Sequence, residues 1–108
     1  MRVAAIVGEL MFASRVQGIL ERAGHDVTLV SAPEAVADAD VVVADLMEAD
    51  AAALVATGLP VLGIFNHTFP DVRDQALAAG VTIVVPRSRF VREAAELVDS
   101  LAPGSAQA

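Results

Sequence analysis

Acidic, amide and basic side chains follow four of the five short apolar runs in this sequence. Glu9 comes after the first run, Asp45 after the third, Asn66 and His67 after the fourth, and Arg87 after the fifth. The planar fork of arginine binds phosphate or carboxylate groups. These residue types therefore suit an acidic pocket or an anion site, provided that the fold brings the positions together.

Each of these residues also has a purely structural interpretation. Glu9 can favour the positive end of a following helix, and Asp45 can cap a helix or turn. Asn66 is as well suited to a turn as to a ligand site, and a lone loop histidine such as His67 is usually structural or solvated. Arg87 can bind an anion, face the solvent, or form a salt bridge that joins it to Asp45 or Glu9 in place of a metal.

Other sequence motifs limit the chemistry further. Arg87, Arg89 and Arg92 could gather an anionic ligand at a helix N-terminus, although a solvated charge cluster is the commoner arrangement. Gly8 and Gly63 do not form the G-x-G-x-x-G arrangement of a dinucleotide site. The chain has no cysteine, which excludes disulfides, thiolate catalysis and thiolate metal sites.

The apolar runs predict the strands that must position these side chains. They are rich in β-branched residues and mostly do not alternate with polar residues, which is typical of strands buried on both faces of a parallel sheet. We predict strands at 3–7, 27–30, 41–44, 61–65 and 81–85.

The segments between the runs predict helices. Apolar residues from Phe12 to Ala23 recur with helical spacing, and Gly24 then suits a left-handed helix end. Pro70 suits the first turn of a helix that Gly80 ends, and Ser88 is a candidate N-cap for the last helix. Segments 33–37 and 48–56 are too short for more than brief second and third helices.

Alternating strands and helices predict a doubly wound α/β domain with right-handed crossovers. Five strands fit the flavodoxin-like order 2-1-3-4-5, in which functional residues lie at the carboxyl ends of the strands. We expect one domain over residues 1–102, because 108 residues suffice for a single core. Residues 103–108 are expected to form a flexible tail after the Pro103–Gly104 break.

Composition also bears on partners and compartment. The net charge of −7 argues against general nucleic-acid binding, which needs a basic face. No apolar stretch approaches the roughly 18 residues of a membrane span, and no leader-like segment opens the chain. We therefore expect a cytoplasmic protein that does not enter membranes.

The residues at the strand ends resemble those of response-regulator receiver domains of two-component signalling. Glu9 and Asp45 are similar to the acidic cluster of that family, and Ala79-Gly80 followed by a strand and a basic residue resembles its C-terminal third. The segments 9–15 and 86–90 resemble small stand-alone degenerate receivers of bacteria. The resemblance covers nearly the whole chain and depends on order and spacing more than on a sharp motif.

The resemblance implies a role for each matching position. Asp45 corresponds to the phosphoacceptor, and Glu9 and Asp45 correspond to carboxylates that hold Mg²⁺. Phe65, or Asn66 after a one-residue slip, corresponds to the hydroxyl residue that binds the phosphoryl group, and Arg87 corresponds to the lysine.

The chain departs from the family at several of these positions. Gly8 replaces the first acid of the pair, Phe65 cannot donate a hydrogen bond, and Val84 stands where many receivers have a switch aromatic. The usual lysine-proline pair is replaced by Pro86-Arg87, whose arginine is a planar fork and not a compact ammonium. We expect at most weak Mg²⁺ binding by Glu9 and Asp45, and no other cofactor.

These observations favour a degenerate receiver, or pseudo-receiver: a non-enzymatic protein-interaction module in which phosphotransfer is lost or weakened. A working phosphoacceptor that uses Asp45 with atypical partners is one alternative. A flavodoxin-like domain that binds a small anion or ligand is another. We expect an unidentified protein partner, and a homodimer formed through segment 71–101 if the family's fourth-helix to fifth-helix face is used.

Overall fold

A five-stranded parallel sheet forms the centre of the molecule in this computed structural model, which describes residues 1–36 and 38–102. The strands are β1 (Arg2–Ile6), β2 (Asp26–Leu29), β3 (Val41–Asp45), β4 (Val61–Phe65) and β5 (Ile83–Pro86), in the order β2-β1-β3-β4-β5. The predicted fold class and strand order are confirmed. The predicted tail, 103–108, lies outside the described residues.

Helices cover both faces of this sheet. They are α1 (Leu10–Arg22), α2 (Ala51–Val55), α3 (Pro70–Ala79) and α4 (Arg87–Asp99), and a single 3-10 turn at Pro33–Ala35 stands in place of a helix after β2. The predicted brevity of the second and third helical segments is confirmed. Helices α1 and α4 pack on one face of the sheet, while the 3-10 turn, α2 and α3 pack on the other.

Central strands are buried on both faces because their side chains are almost all apolar. All five residues of β3 and all five of β4 are buried. Gly63 in β4 leaves room for Leu46, whose Cδ1 atom would lie 2.6 Å from a Cβ atom at position 63. The missing side chain therefore lets Leu46 pack directly on the sheet beside Asp45.

Several predicted element ends are confirmed. Gly24 and Gly80 follow α1 and α3 with φ angles of 94° and 104°, a left-handed backbone that glycine adopts without strain. Pro70 is the first residue of α3.

Two predicted element ends were wrong. Ser88 does not cap the last helix, since α4 begins at Arg87 after Pro86 and no side chain caps it. The fifth strand begins at Ile83, two residues later than predicted, because the Val81 amide donates to the Ala76 carbonyl and so closes α3.

Candidate functional site

Asp45 ends β3 and is the centre of the site. It is 1% exposed and is the only buried charged residue in the described part of the chain. Its Oδ1 atom accepts a hydrogen bond from the Met47 amide at 2.9 Å, and its Oδ2 atom accepts one from Arg87 Nη2 at 3.1 Å. Both carboxylate oxygens are therefore already bound to donors of the protein itself.

Arg87 reaches Asp45 from the opposite side of β4. It is the first residue of α4, directly after β5, and β4 lies between β5 and β3 in the sheet. Its guanidinium carbon lies 4.3 Å from the centroid of the Phe12 ring, which belongs to α1. One arginine thus joins β3, α1 and α4 through an ion pair and a cation–π contact.

This arrangement satisfies the electrostatic requirement of a buried carboxylate. A charge removed from water is tolerated when it is paired and hydrogen-bonded, and Arg87 and Met47 supply both conditions for Asp45. The Arg87 side chain is itself 44% exposed, so one partner is buried and the other reaches the surface. The sequence left three alternatives for Arg87: anion binding, exposure to solvent, or a salt bridge to Asp45 or Glu9. The structure contains the salt bridge to Asp45.

Glu9 lies at the same edge of the sheet but has a different set of partners. It is the N-cap of α1, and its two carboxylate oxygens accept hydrogen bonds from the amides of Met11 and Phe12 at 3.3 and 2.5 Å. These bonds satisfy two of the free N–H groups at the start of the helix. Within residues 1–36 and 38–102, Glu9 has no ion pair with Arg87.

Glu48 is a third carboxylate at this edge, and the sequence analysis missed it. Its Oε2 atom accepts a hydrogen bond from the Gly8 amide at 2.5 Å, and a Cβ atom at position 8 would lie 2.6 Å from that same oxygen. The Glu48 carboxylate therefore occupies the space that a side chain at position 8 would fill. The sequence did contain a signal for this contact. An acidic residue stands three positions after Asp45, and position 8 is a glycine, which leaves space for it.

Phe65 and Asn66, the residues expected to bind a phosphoryl group, donate no hydrogen bond toward Asp45 in the described part of the chain. Phe65 is 5% exposed and packs in the core beneath α2 and α3. The Asn66 Oδ1 atom accepts hydrogen bonds from the Thr68 amide at 3.0 Å and the Thr68 hydroxyl at 2.8 Å. Asn66 thus forms the turn before α3, and His67 is exposed within that turn.

The other arginines of the proposed cluster also have acidic partners. Arg89 Nε and Arg92 Nη2 lie 3.5 and 3.6 Å from the same oxygen of Glu93. They pair with this carboxylate along the exposed surface of α4, whereas Arg87 pairs with Asp45. Arg87, Arg89 and Arg92 therefore do not form a common anion site.

The donor set does not fit a resident Mg²⁺ ion in this arrangement. Across the described ranges, no three histidine, cysteine or acidic side chains are placed to share a metal ion. The oxygens of Asp45 are bonded to Arg87 and Met47, and those of Glu9 cap α1. A cation at Asp45 would compete with Arg87, since both are attracted to the same carboxylate.

Comparisons with known proteins identify the fold. No protein-family model and no curated protein matches the sequence. Solved structures do match: a response-regulator receiver domain from Clostridium thermocellum has a TM-score of 0.78 and 15% identity, covering 93% of this chain and 92% of that one. The receiver domain of the Francisella response regulator 1452 has a TM-score of 0.75 and 17% identity over 93% of this chain and 94% of its own.

A longer protein also matches. Full-length FixJ from B. japonicum has a TM-score of 0.73 and 17% identity, and the match covers 97% of this chain but only 61% of FixJ. The chain therefore has the flavodoxin-like fold of receiver domains. In the part that the structure describes, no helix has the length and hydrophobicity needed to cross a bilayer.

Proposed function

We propose that this domain is a receiver-like signalling module of the bacterial cytoplasm that binds a protein partner, and in which phosphotransfer is lost or weakened. The observation that carries the proposal is the ion pair between Asp45 and Arg87. It ties the carboxylate at the phosphoacceptor position to a cation of the same chain. A domain with the receiver fold and an acid paired in this way would keep the shape of the module without its chemical switch.

Phosphorylation of Asp45 would require one of its oxygens to attack a phosphorus atom. Both oxygens are held, one by the Met47 amide and one by Arg87, and the side chain is almost fully buried. The transferring phosphoryl group carries negative charge on its equatorial oxygens and needs donors or cations around it. Phe65 supplies none, and Arg87 would have to serve both the attacking carboxylate and the phosphoryl group.

The matching experiment is treatment with acetyl phosphate and Mg²⁺, followed by intact mass spectrometry. In a phosphoacceptor, the phosphorus–oxygen bond to acetate breaks, a bond to an Asp45 oxygen forms, and acetate leaves. We expect no mass increase of one phosphoryl group in the wild-type chain. A receiver domain that autophosphorylates serves as the positive control for the reagent.

The variant Asp45→Asn distinguishes the outcomes. A stoichiometric phosphoryl adduct that disappears in Asp45→Asn but persists in Asp50→Asn would overturn the proposal and establish a working phosphoacceptor. Asp50 is the matched control because it follows the same strand but caps α2 through the Ala53 amide. An adduct present equally in all three proteins would be adventitious and would leave Asp45 unmodified, as proposed.

Self-association through segment 71–101 forms the second part of the proposal. The segment contains α4 and all of α3 after Pro70, has both acidic and basic side chains, and exposes 51% of Leu77. Mixed charges can fix the register of two copies through pairs at the rim of an interface. Light scattering should detect a dimer that Leu77→Ser weakens, whereas a monomer at high concentration would rule out this homodimer.

A further inference from the structure

Large apolar side chains are concentrated on the edge of the sheet at which Asp45 lies. Within the described ranges, six large hydrophobic residues are exposed. Five of them lie at or just beyond the carboxyl ends of strands: Leu10, Met11, Leu29, Met47 and Phe69. A single exposed hydrophobic residue is ordinary, but a concentration on one edge marks an interaction surface. We call these five residues the apolar rim.

An open cavity adjoins the apolar rim between the ends of β1 and β2. It has a volume of about 760 Å³, and its walls include Val7, Leu29 and Val30 together with Glu48. The Glu48 side chain is exposed and has a backbone amide, that of Gly8, as its partner. An apolar wall that ends in a carboxylate suits a long aliphatic side chain with a cationic head, as in lysine or arginine.

The charge of this edge supports the same conclusion. Glu9, Glu48, Asp50 and Asp71 lie there, and none pairs with a side-chain cation in the part of the chain that the structure describes. Arg87 is matched by Asp45. Each helix N-terminus offsets only about half a unit charge, so the edge remains negative. Two copies of this chain would meet here with like charges, whereas a basic partner would be attracted.

We propose that the apolar rim binds a basic amphipathic helix of a partner protein, with a lysine or arginine inserted beside Glu48. This inference rests on the proposed function, because it names the partner surface of the signalling module. The apolar face of the helix would cover Leu10 and Met11, which are 78% and 79% exposed. Its flanking cations would face the four unpaired carboxylates.

Binding can be tested with a defined probe. The probe is a fluorescein-labelled peptide of about 18 residues, or five helical turns, with leucine along one face and lysine elsewhere. A scrambled peptide of the same composition lacks the apolar face, and a leucine–glutamate peptide reverses the charge. Fluorescence anisotropy should show binding of the leucine–lysine helix alone, weakened when salt rises from about 50 to 300 mM.

Variants of the full chain assign the surface. Leu10→Ser combined with Met11→Ser should weaken binding by about tenfold or more, as expected for apolar anchors. Glu48→Gln should weaken it by about threefold, typical of an exposed ion pair. Glu21→Gln is the matched control for Glu48→Gln, since Glu21 is also exposed but lies in the last turn of α1, away from the rim, and it should leave the affinity unchanged.

Four results would overturn the proposal. They are equal binding of the scrambled peptide, a loss in Glu21→Gln equal to that in Glu48→Gln, no binding at about 0.1 mM peptide, and self-association that the Leu10 and Met11 double variant abolishes. The last result would assign the rim to a second copy. Circular dichroism of each variant would exclude misfolding. The acetyl phosphate experiment is independent, so failure of the phosphotransfer proposal and failure of this surface are distinguishable.

Discussion

The two helical layers of this domain cover the sheet to different extents. Helices α1 and α4 have 13 residues each, and their buried side chains include Phe12, Leu20 and Phe90. On the other face the chain has a three-residue 3-10 turn, a five-residue α2 and a ten-residue α3. In α2, Leu54 is the only buried residue.

This difference explains where the site is fixed and where the surface stays open. Arg87 begins α4 and Phe12 lies in α1, so the long layer holds the cation that neutralises Asp45. The 3-10 turn and the loop before α2 contribute Ala35 and Glu48 to the open cavity. The long layer therefore supplies the cation of the site, whereas the short layer leaves the cavity beside Glu48 open.

The largest expected effect comes from equal truncations in the two layers. Leu20→Ala in α1 and Leu54→Ala in α2 remove the same atoms from side chains that are both fully buried. Leu→Ala costs range over about 3–5 kcal/mol and depend on how far the site can collapse. We expect Leu20→Ala near the upper limit and Leu54→Ala near the lower limit, measured by urea denaturation. Equal costs would show that the two layers are equally rigid.

Removal of Arg87 should have an intermediate effect. Arg87→Ala leaves the Asp45 carboxylate buried without its cation and removes the contact with Phe12. Loss of one partner of a buried pair costs about 3–5 kcal/mol, but Arg87 is partly exposed and solvent screens it, so we expect about 1–2 kcal/mol. The same change should strengthen Mg²⁺ binding, measured by calorimetry, because the carboxylate is left uncompensated.

A double-mutant cycle separates the ion pair from general packing. In an Asp45→Asn background, Arg87→Ala should cost less, because no buried charge remains to be left unpaired. Arg89→Ala is the control for Mg²⁺, since Arg89 pairs with Glu93 and not with Asp45. An unchanged Mg²⁺ affinity in Arg87→Ala, or an equal increase in Arg89→Ala, would contradict competition between arginine and metal at Asp45.

The sequence predicted the fold well because local patterns determine it. Unbroken β-branched runs and the glycines after α1 and α3 specify strands and helix ends within a few residues. The boundary of β5 was missed because the Val81 amide closes α3 and the Thr82 hydroxyl accepts from the Val61 amide. Those bonds depend on tertiary neighbours, which periodicity does not report.

The site was harder to predict than the fold. Order along the chain placed Asp45 and Arg87 at one edge of the sheet, and the salt bridge between them was among the alternatives. The sequence alone could not select this salt bridge, because it forms only when the partly exposed Arg87 side chain extends past β4 to Asp45. The contributions of Phe12 and Glu48 were missed since neither follows from strand order. They depend on the ring position in α1 and on the space that Gly8 leaves.

The smallest expected effects come from the N-caps of the two layers. Glu9 caps α1 through the Met11 and Phe12 amides, and Asp50 caps α2 through the Ala53 amide. Removal of an N-cap side chain typically costs about 0.5–2 kcal/mol. We expect Glu9→Ala to cost about 1 kcal/mol, since α1 contributes several core side chains, and Asp50→Ala to cost about 0.5 kcal/mol.

Urea denaturation measures both caps, and Glu9→Gln and Asp50→Asn serve as controls that keep an accepting oxygen. Glu9→Ala also reports on the site, because the Phe12 amide that Glu9 binds belongs to the residue whose ring contacts Arg87. Fraying of the first turn of α1 would loosen that contact. If Asp50→Ala instead gave the larger loss of stability, the prediction that the cap of α1 contributes more to the stability of the domain would be wrong.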